Sequence, residues 1–258
     1  MPNAKGSSPL RDWRVLVAFA AATAGAALWW GAGSGTPRDD RHPRSSLGED
    51  DTESVRAEAA VDCDRHPFFG MSVGASRTYA MDVSGQMGEL TADLVNVVRA
   101  GRARTATWAF SFGLTGANPV TSRVERRCDR EGAEEPWFGY GIDTALQLDR
   151  QTWRWPDALR IGLEFAGTVD AVIGSMRVTA RPEHRVIGRE PVSVPAGLFE
   201  AWRVETTDTP DVGGEPHHST WWVVEHLGLV KSVQEVDAET TLVQELTHYQ
   251  DGGPSGIP

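Results

Sequence analysis

Few residues of this chain have the types and the spacing that catalysis requires. Gly70 to Gly74 (GMSVG) match the G-x-S-x-G pattern, in which Ser72 would be the nucleophile of an α/β-hydrolase. That motif needs a buried strand before the serine and a helix after it. Here residues 63–67 (CDRHP) precede it and a strand-like run follows it. A serine hydrolase that uses Ser72 is therefore our third hypothesis and not our first.

The histidines do not form a metal-binding pattern. His217 and His218 are adjacent, and adjacent residues of a strand point to opposite faces, so the pair is a poor chelate. No HExxH motif or Cys/His cluster lies nearby to complete a zinc site, and no glycine-rich loop lies between a strand and a helix to hold phosphate. We expect no metal, no cofactor and no catalytic residues, and hence a protein that is not an enzyme.

Aromatic residues offer a better candidate site. The chain has 10 Trp, and the adjacent Trp221 and Trp222 must point to opposite faces of one strand. If one of them packs in the core, the other faces solvent, a partner or a ligand cavity. Phe199 and Trp202 also face opposite sides of a strand. We predict a ligand-binding face among Trp202, Trp221, Trp222 and Phe199, and the alternative is ordinary core and cross-strand packing.

The elements that position these aromatics read as β-hairpins. Residues 192–204 and 220–233 each have two apolar-rich arms around a tight turn, Pro195-Ala196-Gly197 and His226-Leu227-Gly228. Residues 77–83 alternate like a strand, and residues 90–98 and 105–112 form a long hairpin. Residues 91–98 and 167–173 could be helical, but neither carries start and stop signals. The sequence predicts an all-β or β-dominated fold with an antiparallel sheet.

The chain divides into four parts. Residues 1–33 are a signal peptide or a membrane anchor, residues 34–60 a disordered linker, residues 61–250 a β-rich extracytoplasmic domain, and residues 251–258 a disordered tail. The first part has basic residues before an uncharged run of 18 residues, which places its N-terminus in the cytoplasm and the remainder outside. The membrane segment is marked by these residues: Val15, Leu16, Phe19, Leu28, Trp29 and Trp30.

Charge and cysteine content bound the function further. A net charge of −11 argues against nucleic acid as a partner, because phosphate backbones require clustered Lys and Arg. Cys63 and Cys128 both lie outside the membrane in this topology, where a disulfide is the default interpretation.

The hairpins also carry a resemblance to a known family. Residues 190–204 (EPVSVPAGLFEAWRV), Trp221-Trp222 and residues 228–231 (GLVK) resemble the pattern of TapB-like exported bacterial proteins and lipoproteins. The resemblance implies a curved antiparallel sheet, a half-barrel similar to that of LolA-type lipoprotein carriers, with an apolar concave side. It supplies no catalytic residues. The chain departs from the family in having Arg77 where Trp is usual and in lacking a lipidated Cys.

These observations predict an exported protein of the bacterial cell envelope, membrane-anchored or secreted, that works by binding. The first hypothesis is a non-enzymatic domain that binds a lipid or another apolar small molecule, or a partner protein of the envelope. The alternative is a purely structural or interaction protein without a cavity. A closed and filled core would favour interaction, and an open aromatic-lined hollow would favour ligand binding.

Overall fold

The structure is a computed structural model that describes residues 62–63, 65–68, 72–116, 118–129, 132–134, 146–151, 154–173, 176–210, 216–235 and 240–252. All regular elements in these ranges are strands. Within the same ranges there is no helical segment with the length and hydrophobicity of a membrane span. The predicted membrane segment, the linker and most of the predicted tail lie outside the described residues.

Thirteen strands are described. They are β1 (Ser76–Val83), β2 (Gln86–Ala100), β3 (Ala103–Leu114), β4 (Val120–Asp129), β5 (Gly132–Ala133), β6 (Leu146–Gln151), β7 (Glu164–Ala166), β8 (Val169–Ile173), β9 (Met176–Val194), β10 (Gly197–Pro210), β11 (His217–Val224), β12 (Gly228–Glu235) and β13 (Thr241–Gln250).

These strands form one antiparallel sheet whose neighbours are mostly consecutive in sequence. The order is β5-β4-β3-β2-β1-β13-β12-β11-β10-β9-β8-β6, and β7 pairs with β9 outside this path. The first and last strands of the chain, β1 and β13, pair with each other in the middle of the sheet, where Tyr79 opposes Leu246. The sheet is curved like a half-barrel and does not close through the pairing of its described edge strands, which confirms the predicted fold class.

The turns fall where the glycines indicate. Pro195 and Ala196 connect β9 to β10, and residues 225–227 connect β11 to β12. Gly101, at the β2–β3 turn, has a φ of 63°, a left-handed conformation that glycine adopts without steric cost.

The two segments that could have been helical, residues 91–98 and 167–173, are not helices. Residues 91–98 belong to β2, where pairing with β3 satisfies the backbone, and residues 169–173 form β8.

Two hydrophobic clusters hold the curved sheet together. The first is built mainly on β1 to β4 and β13, with Trp108, Phe110 and Leu246 among its members. The second contains Phe68, Trp155 and Trp221, and brings the irregular segments 65–68 and 154–163 against β9 to β12. Both segments therefore act as covers for one end of the sheet.

The predicted disulfide is present between Cys63 and Cys128, whose Cα atoms are 5.8 Å apart. It joins the segment before β1 to the end of β4. Both cysteines are fully buried within the first cluster.

Candidate functional site

The four aromatic residues among which a binding face is predicted divide between the two hydrophobic clusters. Trp221 belongs to the second cluster and Trp202 packs against it, whereas Phe199 and Trp222 pack against the first cluster. The predicted alternation along each strand is therefore seen in the packing. A single aromatic-lined hollow that includes all four is not formed by the described residues.

Trp221 is a core residue. Only 5% of its surface is exposed. Its ring stacks on Trp155 at a centroid distance of 6.0 Å and lies 5.4 Å from the imidazole of His184, which in turn stacks on Phe165 at 4.6 Å. These contacts surround Trp221 with other rings of the protein.

Trp202 and Phe199 sit on a strand that contributes to both clusters. The guanidinium of Arg189 lies 4.9 Å from the ring centroid of Trp202, whose indole N–H donates to Glu225 Oε1 at 3.3 Å. Phe199 makes an edge contact with Tyr249 at 6.1 Å between centroids. Both side chains remain half-buried.

Trp222 lies in a cross-strand row of half-buried side chains on the sheet face opposite to Trp221. Register places Arg203 of β10, Trp222 of β11, Lys231 of β12 and Glu245 of β13 directly side by side, and we name these four residues the Trp222 row. The indole N–H of Trp222 donates to Glu190 Oε1 at 2.6 Å. Its ring orientation is thereby fixed from the β9 side.

Lys231 fixes Trp222 from the other side. Its ammonium nitrogen lies 5.8 Å from the centroid of the Trp222 ring and 2.7 Å from Glu245 Oε1. Cation–π contact and ion pairing together hold the row in one arrangement. The result is a preorganised aromatic among charged side chains of both signs.

A second feature crosses the buried face of the sheet. Six polar side chains, none more than 8% exposed, lie there on five neighbouring strands. We name this set the polar strip, and its members are His184, Thr206, Ser219, Ser232, Gln234 and Gln244. They share the face that carries Trp221, because Trp221 directly opposes Ser232.

Strand register makes the polar strip continuous. Thr206 opposes His184 on one side and Ser219 on the other, and Ser219 opposes Gln234. Ser232, two residues before Gln234 on the same strand, opposes Gln244 of β13. Directly opposed side chains are about 5 Å apart at Cβ, so neighbouring members of the strip lie within contact distance of one another.

The internal hydrogen bonds of the strip use only part of its polar capacity. Nδ1 of His184 and Oγ1 of Thr206 are 2.8 Å apart, and Gln234 Nε2 donates to Ser232 Oγ at 3.3 Å. Gln234 Oε1 accepts no hydrogen bond from the described residues. Burial lowers the pKa of His184 to about 3, so its imidazole is neutral at physiological pH.

The strip ends at Asp208 and His217, which oppose each other across β10 and β11. Both residues keep part of their surface exposed. The carboxyl group of Asp208 is nevertheless enclosed, and burial raises its pKa to about 7. This end of the strip is the more accessible one.

Sequence reasoning missed the polar strip. A signal was present, since Thr206, Ser219 and Gln234 lie two residues from Val204, Trp221 and Ser232 on their strands, at positions that alternation places on the same face. Recognising them as one set requires the register of five strands, which the sequence pattern does not supply.

Ser72 and the His217–His218 pair, which the sequence offered as candidates for chemistry, are a turn residue and two strand residues in the structure. Ser72 begins a turn in which its carbonyl accepts from Ala75 N–H at 3.0 Å, and β1 follows immediately. A strand thus stands where a nucleophile elbow requires a helix. His217 and His218 lie on opposite faces of β11, and no group of three or more potential metal ligands occurs among the described residues.

Comparison with known proteins identifies the fold. No protein-family model matches the chain, and no curated protein matches it in sequence. A protein of Bacteroides fragilis, named as exported and as having a YmcC-like fold, superposes with a TM-score of 0.56 and 14% identity, covering 70% of this chain and 97% of its own.

A second structure, named as a lipoprotein of Parabacteroides distasonis, superposes with a TM-score of 0.55 and 13% identity, covering 70% of this chain and 96% of its own. The chain therefore shares a fold with bacterial proteins that are named as exported or as lipoproteins. The comparisons do not single out the TapB-like family, and that resemblance stays a prediction.

Proposed function

We propose that this chain is a non-enzymatic protein of the bacterial cell envelope that binds another envelope protein through the Trp222 row. Two observations support the envelope location. The N-terminal sequence has the pattern of an export signal or anchor. The fold is shared with proteins named as exported or as lipoproteins.

The fixed, partly exposed ring of Trp222 carries the proposal for partner binding. Trp and Arg dominate the residues that contribute most to protein–protein affinity, and rigid aromatic anchors bind at low entropic cost. Trp222 is held by Glu190 and Lys231 before any partner arrives. The row also offers both charge signs, which favours a specific orientation of a polar partner surface.

Binding of an apolar small molecule, the other possibility predicted from the sequence, has less support. It requires an open hollow lined by aromatic side chains, but the ring of Trp221 is enclosed by Trp155 and His184. The filled packing around Trp221 favours the interaction hypothesis over the apolar-ligand hypothesis.

The chemistry of the row suggests a sharp test. Lys5 and Lys231 are the only lysines of the chain. In a Lys5→Arg background, an amine-reactive crosslinker applied to intact cells can therefore reach a lysine side chain only at Lys231. We expect one crosslinked species of defined mass that contains this chain and a second protein.

Matched variants decide the outcome. Lys231→Arg keeps the charge and removes the reactive amine, so the crosslinked species should disappear. Trp222→Ala keeps Lys231 and should reduce the yield at least about tenfold, as expected when a central aromatic anchor is lost. Crosslinking that persists in Trp222→Ala at the wild-type yield, or that never occurs, contradicts the proposal.

A further inference from the structure

We propose that the end of the sheet that carries the β2–β3 turn is a contact surface for a membrane containing anionic phospholipids. We name this surface the basic tip, and its members are Val95, Val98, Arg99, Arg102 and Arg127. All five residues are exposed. The inference rests on the envelope location proposed above, and it does not depend on partner binding through the Trp222 row.

The first argument is the charge of the basic tip. The chain as a whole carries a net charge of −11, whereas residues 95–105 and 123–129 together contain six arginines and two acidic residues, Glu125 and Asp129. Asp129 is paired with Arg127, with 3.4 Å between Oδ2 and Nε. This end of the domain is therefore positive in an acidic protein. Clustered basic side chains attract the surface of an anionic bilayer.

The second argument is the exposed apolar surface beside this charge. Val95 is 43% exposed and Val98 is 54% exposed, although the alternate residues Leu90, Ala92 and Leu94 of the same strand are buried. A β-bulge after Leu94 ends the regular alternation at this point. Apolar groups that enter the headgroup region and cations that meet lipid phosphates both strengthen binding to a bilayer.

Strand register makes the basic tip one continuous surface. Val98 of β2 opposes Thr105 of β3, which in turn opposes Arg127 of β4. Neighbouring strands are about 4.8 Å apart, so the backbones of Val98 and Arg127 are about 10 Å apart. Arg99 and Arg102 lie on either side of the β2–β3 turn. The valines and the arginines can therefore meet one flat surface together.

The third argument is the place where the chain enters the domain. Cys63 is joined to Cys128 by the disulfide, and its carbonyl oxygen accepts a hydrogen bond from Arg104 Nη1 at 3.3 Å. Cys128 opposes Arg104, and Arg104 opposes Arg99. Cys128, and with it Cys63, is thus only two strands away from Arg99. The N-terminal part of the chain, with its predicted membrane segment, is attached at this end of the sheet.

The predicted linker would keep the basic tip near a bilayer. The sequence predicts disorder for the 27 residues 34–60, which would span on average roughly 30 Å. A membrane segment before this linker would hold the basic tip within about that distance of the lipid surface. Tethering replaces a bimolecular encounter by an intramolecular one, so weak individual contacts are sufficient. The point of chain entry therefore favours a bilayer over a soluble partner at the basic tip.

Arginine modification in lipid nanodiscs tests the contact. The full chain is incorporated into discs of phosphatidylcholine alone or with about 30% phosphatidylglycerol, and phenylglyoxal labelling of each arginine is followed by mass spectrometry. Each basic residue near an anionic surface strengthens binding about fivefold. We expect labelling of Arg102 to slow at least about tenfold in the anionic discs, whereas Arg181, exposed on β9, keeps its rate. Sodium chloride at about 1 M should abolish the difference, because it shortens the Debye length to about 3 Å.

Threonine variants test the apolar part of the basic tip. Val95→Thr/Val98→Thr keeps two β-branched side chains on an exposed strand, so the fold should be retained. Because apolar surface is lost, the protection of Arg102 in anionic discs should fall at least about twofold. Val120→Thr, 38% exposed at the other end of β4, is the matched control and should leave the protection unchanged.

Three results overturn the inference. The first is an equal rate of Arg102 labelling in neutral and anionic discs at low salt. The second is equal slowing by soluble glycerol phosphate in neutral discs, which would show a site for free phosphate. The third is full protection in Val95→Thr/Val98→Thr. Crosslinking through Lys231 is measured in cells at the Trp222 row, so the failure of either proposal leaves the other testable.

Discussion

Two ionisable side chains on the neighbouring strands β9 and β10, His184 and Asp208, respond to pH in opposite directions. Burial disfavours the charged form of both, so it lowers the pKa of His184 from 6.5 to about 3 and raises that of Asp208 from 3.8 to about 7. Stability depends on pH through the difference in protons bound by the unfolded and folded chains. The two residues therefore contribute slopes of opposite sign.

The direction in which each residue makes stability depend on pH follows from its protonation in the folded and unfolded chains. Between about pH 3 and 6.5 the unfolded chain binds a proton at His184 that the folded chain does not, so this contribution is lost as pH falls. Between 3.8 and about 7 the folded chain holds a proton at Asp208 that the unfolded chain releases, so this contribution is lost as pH rises. The slopes offset each other between pH 3.8 and 6.5.

Replacement of Asp208 by Asn should expose the slope of His184. We expect the free energy of unfolding of Asp208→Asn to rise with pH more steeply than that of the wild type, by up to about 1.4 kcal/mol per pH unit between about pH 4 and 6.5. Urea unfolding at a series of pH values measures it. Glu235→Gln, an exposed change, is the control, and parallel curves for wild type and Asp208→Asn would refute this expectation.

At the tip of the β9–β10 hairpin, neighbouring residues differ sharply in burial. Leu198 at its tip is 74% exposed, whereas the next residue, Phe199, packs on Tyr249. The tip is also tied to the last strand, since Ala196 N–H donates to Leu246 C=O at 3.0 Å. Adjacent apolar residues thus have different structural roles.

This difference predicts unequal effects of the same substitution. Phe199→Ala should lower the free energy of unfolding by about 1–3 kcal/mol, because the lost ring contacts the first cluster. Leu198→Ala should change it by less than about 0.5 kcal/mol. Urea denaturation of both variants measures the two values, and equal losses would show that the tip packs differently.

The local sequence pattern predicts individual hairpins, but it does not predict every short strand or how the strands pair in the sheet. The hairpins around residues 100–102, 195–197 and 226–228 could be predicted because glycine at a turn and alternation in the arms are local signals. The strand β8 could not, because its five residues carry no periodicity that separates a short strand from a helical turn.

The candidate sites likewise have some features that follow from one strand alone and others that depend on how distant strands pair. That Trp221 and Trp222 lie on opposite faces follows from the geometry of one strand. That Trp222 meets Lys231, or that Gln234 meets Ser219, depends on long-range register. Register is set by contacts across the whole sheet, which a single sequence does not reveal.

At the scale of the whole molecule, the segment before β1 links distant parts of the sheet. The disulfide joins Cys63 to β4, and Pro67 C=O accepts from His226 N–H at 2.6 Å at the β11–β12 turn. Directly after the second attachment, Phe68 enters the second cluster and contacts Trp155 edge-on at 5.8 Å. One short segment therefore connects the outer strands of one half of the sheet with the core of the other.

Loss of the disulfide should weaken both halves. The bond closes a loop of 65 residues, for which the chain-entropy model gives about 4 kcal/mol of stabilisation. We expect the double variant Cys63→Ser/Cys128→Ser to lose roughly that amount in urea unfolding. Its near-ultraviolet circular dichroism should also change, because Phe68 loses its tether beside Trp155. A reducing agent should destabilise the wild type and leave the double variant unchanged.

The free energy of unfolding of the double variant could instead lie within about 1 kcal/mol of the wild-type value. In that case the contacts of Pro67 and Phe68 hold this segment without the bond, and the link between the two halves is noncovalent.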